Sequence, residues 1–208
     1  MLGRLISLLI GYGFGCFLTA EAVAHYFAGR SAARLGRTGN PGMANIMATL
    51  GFLPGIVTLL GDLVKCLVGM TIAYLLFRKT GWIVVLYAGL GCTLGHDFPF
   101  WRRFRGGKGV AASSATFLIY SFLWGLLANL AGLLVVLATG YLCLAGLVVP
   151  FFFTLFMFCT GQTEAGMLGV VFTLLAFYCH GFDILSIREG KVPRIDLLGA
   201  IVNRFRRR

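Results

Sequence analysis

The sequence predicts an all-α fold, a polytopic membrane helical bundle of about seven transmembrane helices with five as the alternative count. It is read as a single domain over residues 1–208. Of its 208 residues, 59% are hydrophobic and 12% charged, and the mean hydropathy is +0.89. A water-soluble protein of this size could not bury so much apolar surface, so lipid must replace water over much of the exterior. The apolar residues gather into runs long enough to cross a bilayer. The 29 glycines agree, because small residues let membrane helices approach closely and let loop backbone touch a ligand.

The first apolar run extends from about Leu5 to Phe27. Ala22-Val23-Ala24 resembles a signal cleavage site, but the run is long enough to span and Arg30, Arg34 and Arg37 follow it, so it is read as a retained helix. A polar, Gly-rich loop follows, from Gly29 to about Gly51. The next span, Phe52 to Phe77, carries Asp62 and Lys65, whose i,i+3 spacing places both charges on one face. After the turn at Arg78–Gly81, a third span covers Trp82 to about Phe98. The tract from Val110 to Phe158 is too long for one span and too short for four; dividing it near Trp124 and near Gly140-Tyr141 gives three. The last span is Met167 to about Phe182, before a basic tail. The six cysteines form no C-x-x-C pair and are read as packing residues.

Charge sets the expected orientation. The net charge is +11, which in a soluble chain would suggest nucleic acid. Here the cations lie in loops and in the tail, as topogenic charge and attraction to anionic lipid require. With the C-terminus inside, fourteen Lys and Arg lie on inner segments (Arg30, Arg34, Arg37, Arg102, Arg103, Arg105, Lys108, Arg188, Lys191, Arg194, Arg204, Arg206, Arg207 and Arg208). Arg4, Arg78 and Lys79 remain outside. The expected topology is therefore N-terminus outside, C-terminus and polar loops cytoplasmic.

Three cytoplasmic loops hold polar residues that membrane packing does not require. In the first, Thr38-Gly39-Asn40-Pro41-Gly42 leads to Asn45; Asn40-Pro41-Gly42 is a turn signal, and the two asparagines offer uncharged donors and acceptors. A tight loop capping the next helix is the plain alternative. In the second, His96-Asp97-Phe98-Pro99 leads through Arg102, Arg103, Phe104 and Arg105 to Gly106-Gly107-Lys108-Gly109, where a helical pattern resumes. Glycines ahead of a helix let backbone N–H groups turn toward an anion, and the helix N-terminus and Lys108 add positive charge. That is a phosphate cradle, though not a Walker A loop, whose spacing is absent. The third site is His180 with Asp183, ahead of Arg188 and Lys191. No G-x-S-x-G occurs, and no cluster has metal-ligand spacing. The residues five beyond His25, His96 and His180 are Arg30, Trp101 and Leu185, so no His-x4-Asp pair occurs.

At these loops the chain resembles the bacterial acyl-phosphate:glycerol-3-phosphate acyltransferases. Thr38 through Asn45, with Thr49-Leu50-Gly51 beyond, is similar to the family's G-S-G-N-x-G-A-T-N motif. His96 through Ala111 is close to its H-x-F-P-x-F-x-x-F-x-G-G-K-G-V-A motif, His180-x-x-Asp183-Ile184 up to Gly190 resembles H-R-x-N-I, and Asp62/Lys65 matches a D-x-x-K. The chain departs from these patterns at Arg37, Thr38, Met43-Ala44, Ala48, Gly181 and Asp183. Two cations are lost and a carboxylate gained, for which Arg37 could compensate.

The resemblance implies transfer of a fatty acyl group from acyl-phosphate to the 1-hydroxyl of glycerol 3-phosphate, opening phospholipid biosynthesis in the bacterial inner membrane. On that basis Thr38, Asn40, Asn45, Lys108 and His180 are the expected catalytic residues. Gly39, Gly42, His96, Arg105, Gly106, Gly107, Gly109 and Asp183 are expected to bind substrate or phosphate, with His180 and Asp183 lining the acceptor site. His96 or His180 could act as base. The partners are the two small substrates and membrane lipid, with no nucleic acid, and the protein is expected to be a monomer. No cofactor and no metal are implied. The competing readings are an acyltransferase with another acceptor and a non-catalytic transporter or scaffold, the latter drawing on Glu21, Asp62, Lys65 and Glu164.

Overall fold

The structure, a computed structural model, describes residues 1–36 and 38–194. Arg37, with its expected compensating charge, and the basic tail residues from 195 on lie outside the described residues. Among the described residues the regular structure is helical: α1 (Leu2–Gly15), α2 (Thr19–Ala28), α3 (Met43–Leu50), α4 (Phe52–Phe77), α5 (Ile83–Asp97), α6 (Val110–Tyr120), α7 (Phe122–Thr139), α8 (Leu142–Cys159) and α9 (Thr163–Ser186). Six segments are long and apolar enough to cross a membrane: Leu2–Ala28, Phe52–Thr80, Ile83–Arg102, Phe122–Thr139, Leu142–Cys159 and Thr163–Ser186. The polytopic all-α fold is therefore as expected, with a correction of one in the span count. The remaining apolar helix, α6, has 11 residues; at 1.5 Å per residue it covers about half of a bilayer core. Its end falls at Ser121, three residues before the expected division, whereas the next division at Gly140-Tyr141 is where the sequence suggested.

Two further elements differ from the sequence reading. The first span breaks at Cys16–Leu18, with Leu18 in extended conformation ahead of α2. The Gly-rich loop contains the two-turn helix α3, which begins directly after Gly42.

The chain divides into two compact units, residues 1–121 and residues 122–208. In the first, α1 lies directly on α5. A Cβ on Gly11 or Gly15 would fall on the carbonyls of Ala88 or Cys92, and one on Gly91 or Gly95 on those of Leu8 or Tyr12. These glycines bring two backbones together where any side chain would hold them apart. The core beside this crossing is built from small residues of α4, α5 and α6, including Cys66, Ala73, Val85, Ala88, Cys92 and Ala112. The consequence for function is positional: the α1–α2 break sits against the C-terminal end of α5, where the second polar loop starts. In the second unit, α8 packs on both α7 and α9, with Gly132 against Val149 and Gly169 against Thr154.

Candidate active site

The two N-terminal polar loops are built into the first unit, and both are tied to the α1–α2 region. Glu21, buried on α2, is the shared anchor. Its carboxylate accepts from Ser31 Oγ at 3.1 Å and from the Ala32 amide at 3.1 Å, and it pairs with Arg102 Nη1 at 2.9 Å. One side chain thus joins the first loop to the second. Sequence reasoning missed this role, having placed Glu21 among mid-membrane charges. The only available signal was a carboxylate within two turns of the predicted inner boundary at Phe27, ahead of a loop rich in arginine.

Within the first loop, Asn45 is the staple. It is buried at the start of α3, accepts from Thr38 Oγ1 at 3.1 Å and donates through Nδ2 to Leu35 O at 3.0 Å. Both ends of its amide are therefore engaged inside the loop, and it acts as a positioning residue for Thr38, which is exposed. Thr38 Oγ1 also accepts from the Asn40 amide at 3.4 Å. Gly39 has φ +59° and its α-carbon faces the Ala33 carbonyl, so a side chain there would be strained and crowded. Gly42 donates to Asn40 O at 2.9 Å, which closes the turn before α3.

The second loop folds back onto the end of α5. Gly106 donates to Asp97 O and Gly107 to His96 O, both at 2.9 Å. A Cβ on Gly106 would fall on the His96 carbonyl and one on Gly107 on His96 Nε2. The N–H groups of these two glycines hold the loop to α5, and their missing side chains permit the close approach. Gly109 (φ +62°) begins α6, with Asp97 carboxylate oxygens and Thr93 directly against its α-carbon. Lys108, between Gly107 and the start of α6, is half-buried. Arg103 and Arg105 are exposed beside it. Arg103 (φ 53°) and Phe104 (φ 58°) are consecutive non-glycine residues in the left-handed region. That conformation costs on the order of 1 kcal/mol or more per residue and persists where surrounding contacts impose it. Here Phe104 donates to Pro99 O at 3.1 Å, Trp101 Nε1 to Cys16 O at 2.7 Å, and Tyr12 Oη to Phe98 O at 2.8 Å.

His96 is buried and its Nδ1 lies 2.8 Å from Lys65 Nζ. An ammonium can only donate, so Nδ1 accepts and the ring proton sits on Nε2, against Gly107. The His96 ring thereby joins Lys65 of α4 to the second loop. Asp62 completes the cluster, 2.9 Å from Lys65 Nζ and accepting from Thr19 Oγ1 at 3.1 Å.

The third-motif residues belong to the second unit. His180 is buried inside α9, six residues before its end, and its ring lies on Gly146 of α8, where a Cβ would meet Nε2. Asp183, one turn further on, is half-buried.

The family model for glycerol-3-phosphate acyltransferase matches residues 5–190, across both units. The chain is similar to glycerol-3-phosphate acyltransferase 1 of Lactobacillus acidophilus, at 40% identity over 96% of each chain. It is also similar to glycerol-3-phosphate acyltransferase 1 of Lactobacillus johnsonii, at 36% identity over 94% of each. Among solved structures it is similar to PlsY (YgiH), an integral membrane glycerol 3-phosphate acyltransferase. The glycerol 3-phosphate form superposes with a TM-score of 0.83 at 27% identity, covering 95% of this chain and 98% of that one. The lysophosphatidic acid form gives 0.79 at 26% identity, over 92% and 94%. With motifs, membrane helices and family model in agreement over nearly its whole length, the chain belongs to the glycerol-3-phosphate acyltransferase family.

Proposed function

We propose that this protein transfers a fatty acyl group from acyl-phosphate to the 1-hydroxyl of glycerol 3-phosphate, releasing lysophosphatidate and inorganic phosphate, at the head of phospholipid biosynthesis. The observation that carries this reading is the second loop. It is clamped to α5 by two backbone hydrogen bonds, and it presents Lys108 and the α6 N-terminus beside a strained, arginine-rich segment. The solved relatives, described with glycerol 3-phosphate and with lysophosphatidic acid, support the acceptor and product.

The chemistry suits such a site. An acyl-phosphate is a mixed anhydride and already activated. The glycerol 3-phosphate hydroxyl oxygen forms the new ester bond to the acyl carbon, and the carbon–oxygen bond to phosphate breaks. The departing phosphate can take the hydroxyl proton, so no covalent enzyme intermediate is required. What remains is orientation and stabilisation of charge on the leaving phosphate. Lys108, with Gly109 and the first turn of α6, holds phosphate, with Arg105 adding long-range charge. Thr38, Gly39 and Asn40, set by Asn45 and Gly42, orient the reacting groups. The family-like third motif supports an acceptor-binding role for His180 and Asp183 of the second unit. The acyl chain enters between helices from the bilayer. The protein works as a monomer in the bacterial inner membrane, N-terminus outside, with the first two polar loops, which follow one and three spans, on the cytoplasmic side, as the charge asymmetry supports.

Purified wild-type protein given acyl-phosphate and glycerol 3-phosphate should release phosphate. Lys108→Ala should purify normally and lose on the order of 100-fold in kcat/KM, the usual cost of one charge-stabilising donor. Near-normal turnover in that variant would remove Lys108 from the site. Equal or better rates with an acyl thioester would overturn the donor assignment.

A further inference from the structure

We propose that the Lys65 ammonium is a built-in cation filling a cradle made by the α1–α2 break, and that through His96 it seats the Gly106–Gly109 loop. Lys65 is then a positioning residue for acyl transfer, an inference that rests on the reading of that loop given above.

The break leaves main-chain carbonyls inside a membrane-spanning segment, where lipid cannot satisfy them. Cys16 O accepts from Trp101. Phe17 O accepts from Lys65 Nζ at 2.8 Å and Gly15 O at 3.3 Å. The same ammonium donates to His96 Nδ1 at 2.8 Å and forms an ion pair with Asp62 Oδ1 at 2.9 Å. Two backbone carbonyls, a carboxylate and an imidazole nitrogen form the kind of donor set with which interrupted membrane helices hold small cations. Here the cation is tethered to α4.

A simple neutralised pair does not account for this arrangement. Asp62 and Lys65, at i,i+3 on one helix, could pair without any other group. The ammonium instead reaches α1, the break and α5 at once. Its bond to His96 decides which ring nitrogen bears hydrogen and fixes the ring plane, and the ring is the surface on which Gly107 rests. The backbone of the same residue accepts the Gly107 amide. Loss of the cation frees the break and the imidazole together, and the loop bearing Lys108 loses its seat.

The test is chemical rescue. Lys65→Ala removes a propylammonium-sized fragment. Wild-type phosphate release, measured first, judges the acyl-transfer reading independently. Given that activity, Lys65→Ala should lose about 100-fold in kcat, the scale of a 1 Å misplacement at a reacting centre. Added propylammonium should restore at least tenfold, whereas tetramethylammonium at equal concentration, having no N–H to donate, should not. Amide hydrogen exchange of the peptide over residues 104–109 should accelerate in the variant and slow again with propylammonium. Unchanged kinetics and exchange in a folded Lys65→Ala, or equal rescue by both cations, would overturn the proposal. If Lys65→Ala does not purify, the neutral double variant Asp62→Asn with Lys65→Gln is measured instead. Faster loop exchange and lower kcat are then expected, and wild-type values for both would overturn it.

Discussion

The two units solve the same problem, helices in lipid, by different means. Among the described residues, the buried polar side chains other than His180 and Ser186 all lie in the first unit, and they include Glu21, Asp62, Lys65, His96 and Asp97. The second unit has three long helices, and its helix-to-helix contacts use glycines and hydroxyls such as Thr154 and Thr173. Buried charge in a membrane is costly, so its concentration marks where structure serves something other than packing. In the first unit the charges join discontinuous backbone: Glu21 bridges two loops and Lys65 a broken helix. In the second, the three helices run without a break comparable to that at Cys16–Leu18, Pro150 lying inside α8, and the polar groups mostly satisfy their own helix.

Three perturbations sharpen this contrast. The largest effect is expected from Gly107→Ala, because the added methyl falls on the His96 ring. Phosphate release should drop on the order of 100-fold with little change in thermal unfolding; full activity would mean that the loop's seat on α5 is immaterial. Glu21→Ala comes next. It strands Arg102 and releases Ser31 and the Ala32 amide. The expected cost is about 3 kcal/mol of stability, as for other buried pairs broken on one side, read as a lower unfolding temperature in detergent, with Glu21→Gln in between. The smallest effect belongs to the second unit. Thr173→Val removes a hydroxyl contact of 3.1 Å to Thr154, and Thr154 retains its own bond to Pro150 O at 2.7 Å. About 0.6 kcal/mol or less is expected, the average for interhelical hydrogen bonds in membranes, with kinetics unchanged. A loss comparable to that of Glu21→Ala would erase the distinction between the units.

Much of the architecture was legible in the sequence, because a run of apolar residues in lipid has few alternatives to a helix. The spans from Phe52 and Trp82, the division at Gly140-Tyr141 and the last helix needed no tertiary information. Reading α6 as a span failed because hydropathy does not record where Ser121 turns the backbone into an extended conformation. The break at Cys16–Leu18 was hidden for a related reason: its residues are as apolar as their neighbours. The loops carrying Thr38, Asn45 and Lys108 were recognisable because turn glycines, asparagines and a lysine before a helix form a pattern along the chain.

The sequence by itself determined the solvent, the class of fold and the chemical character of the loops, since each follows from residue type and short-range spacing. Only the tertiary structure decided what each polar group does. Gly106 and Gly107 donate their amides to carbonyls of α5, His96 meets Lys65, and Glu21 and Lys65 join several elements. The partners of Lys65 lie at sequence separations of 50, 48 and 31 residues. No local pattern encodes such meetings. They arise when glycines let α1 and α5 touch backbone to backbone, bringing a broken helix, a lysine and a histidine to one point.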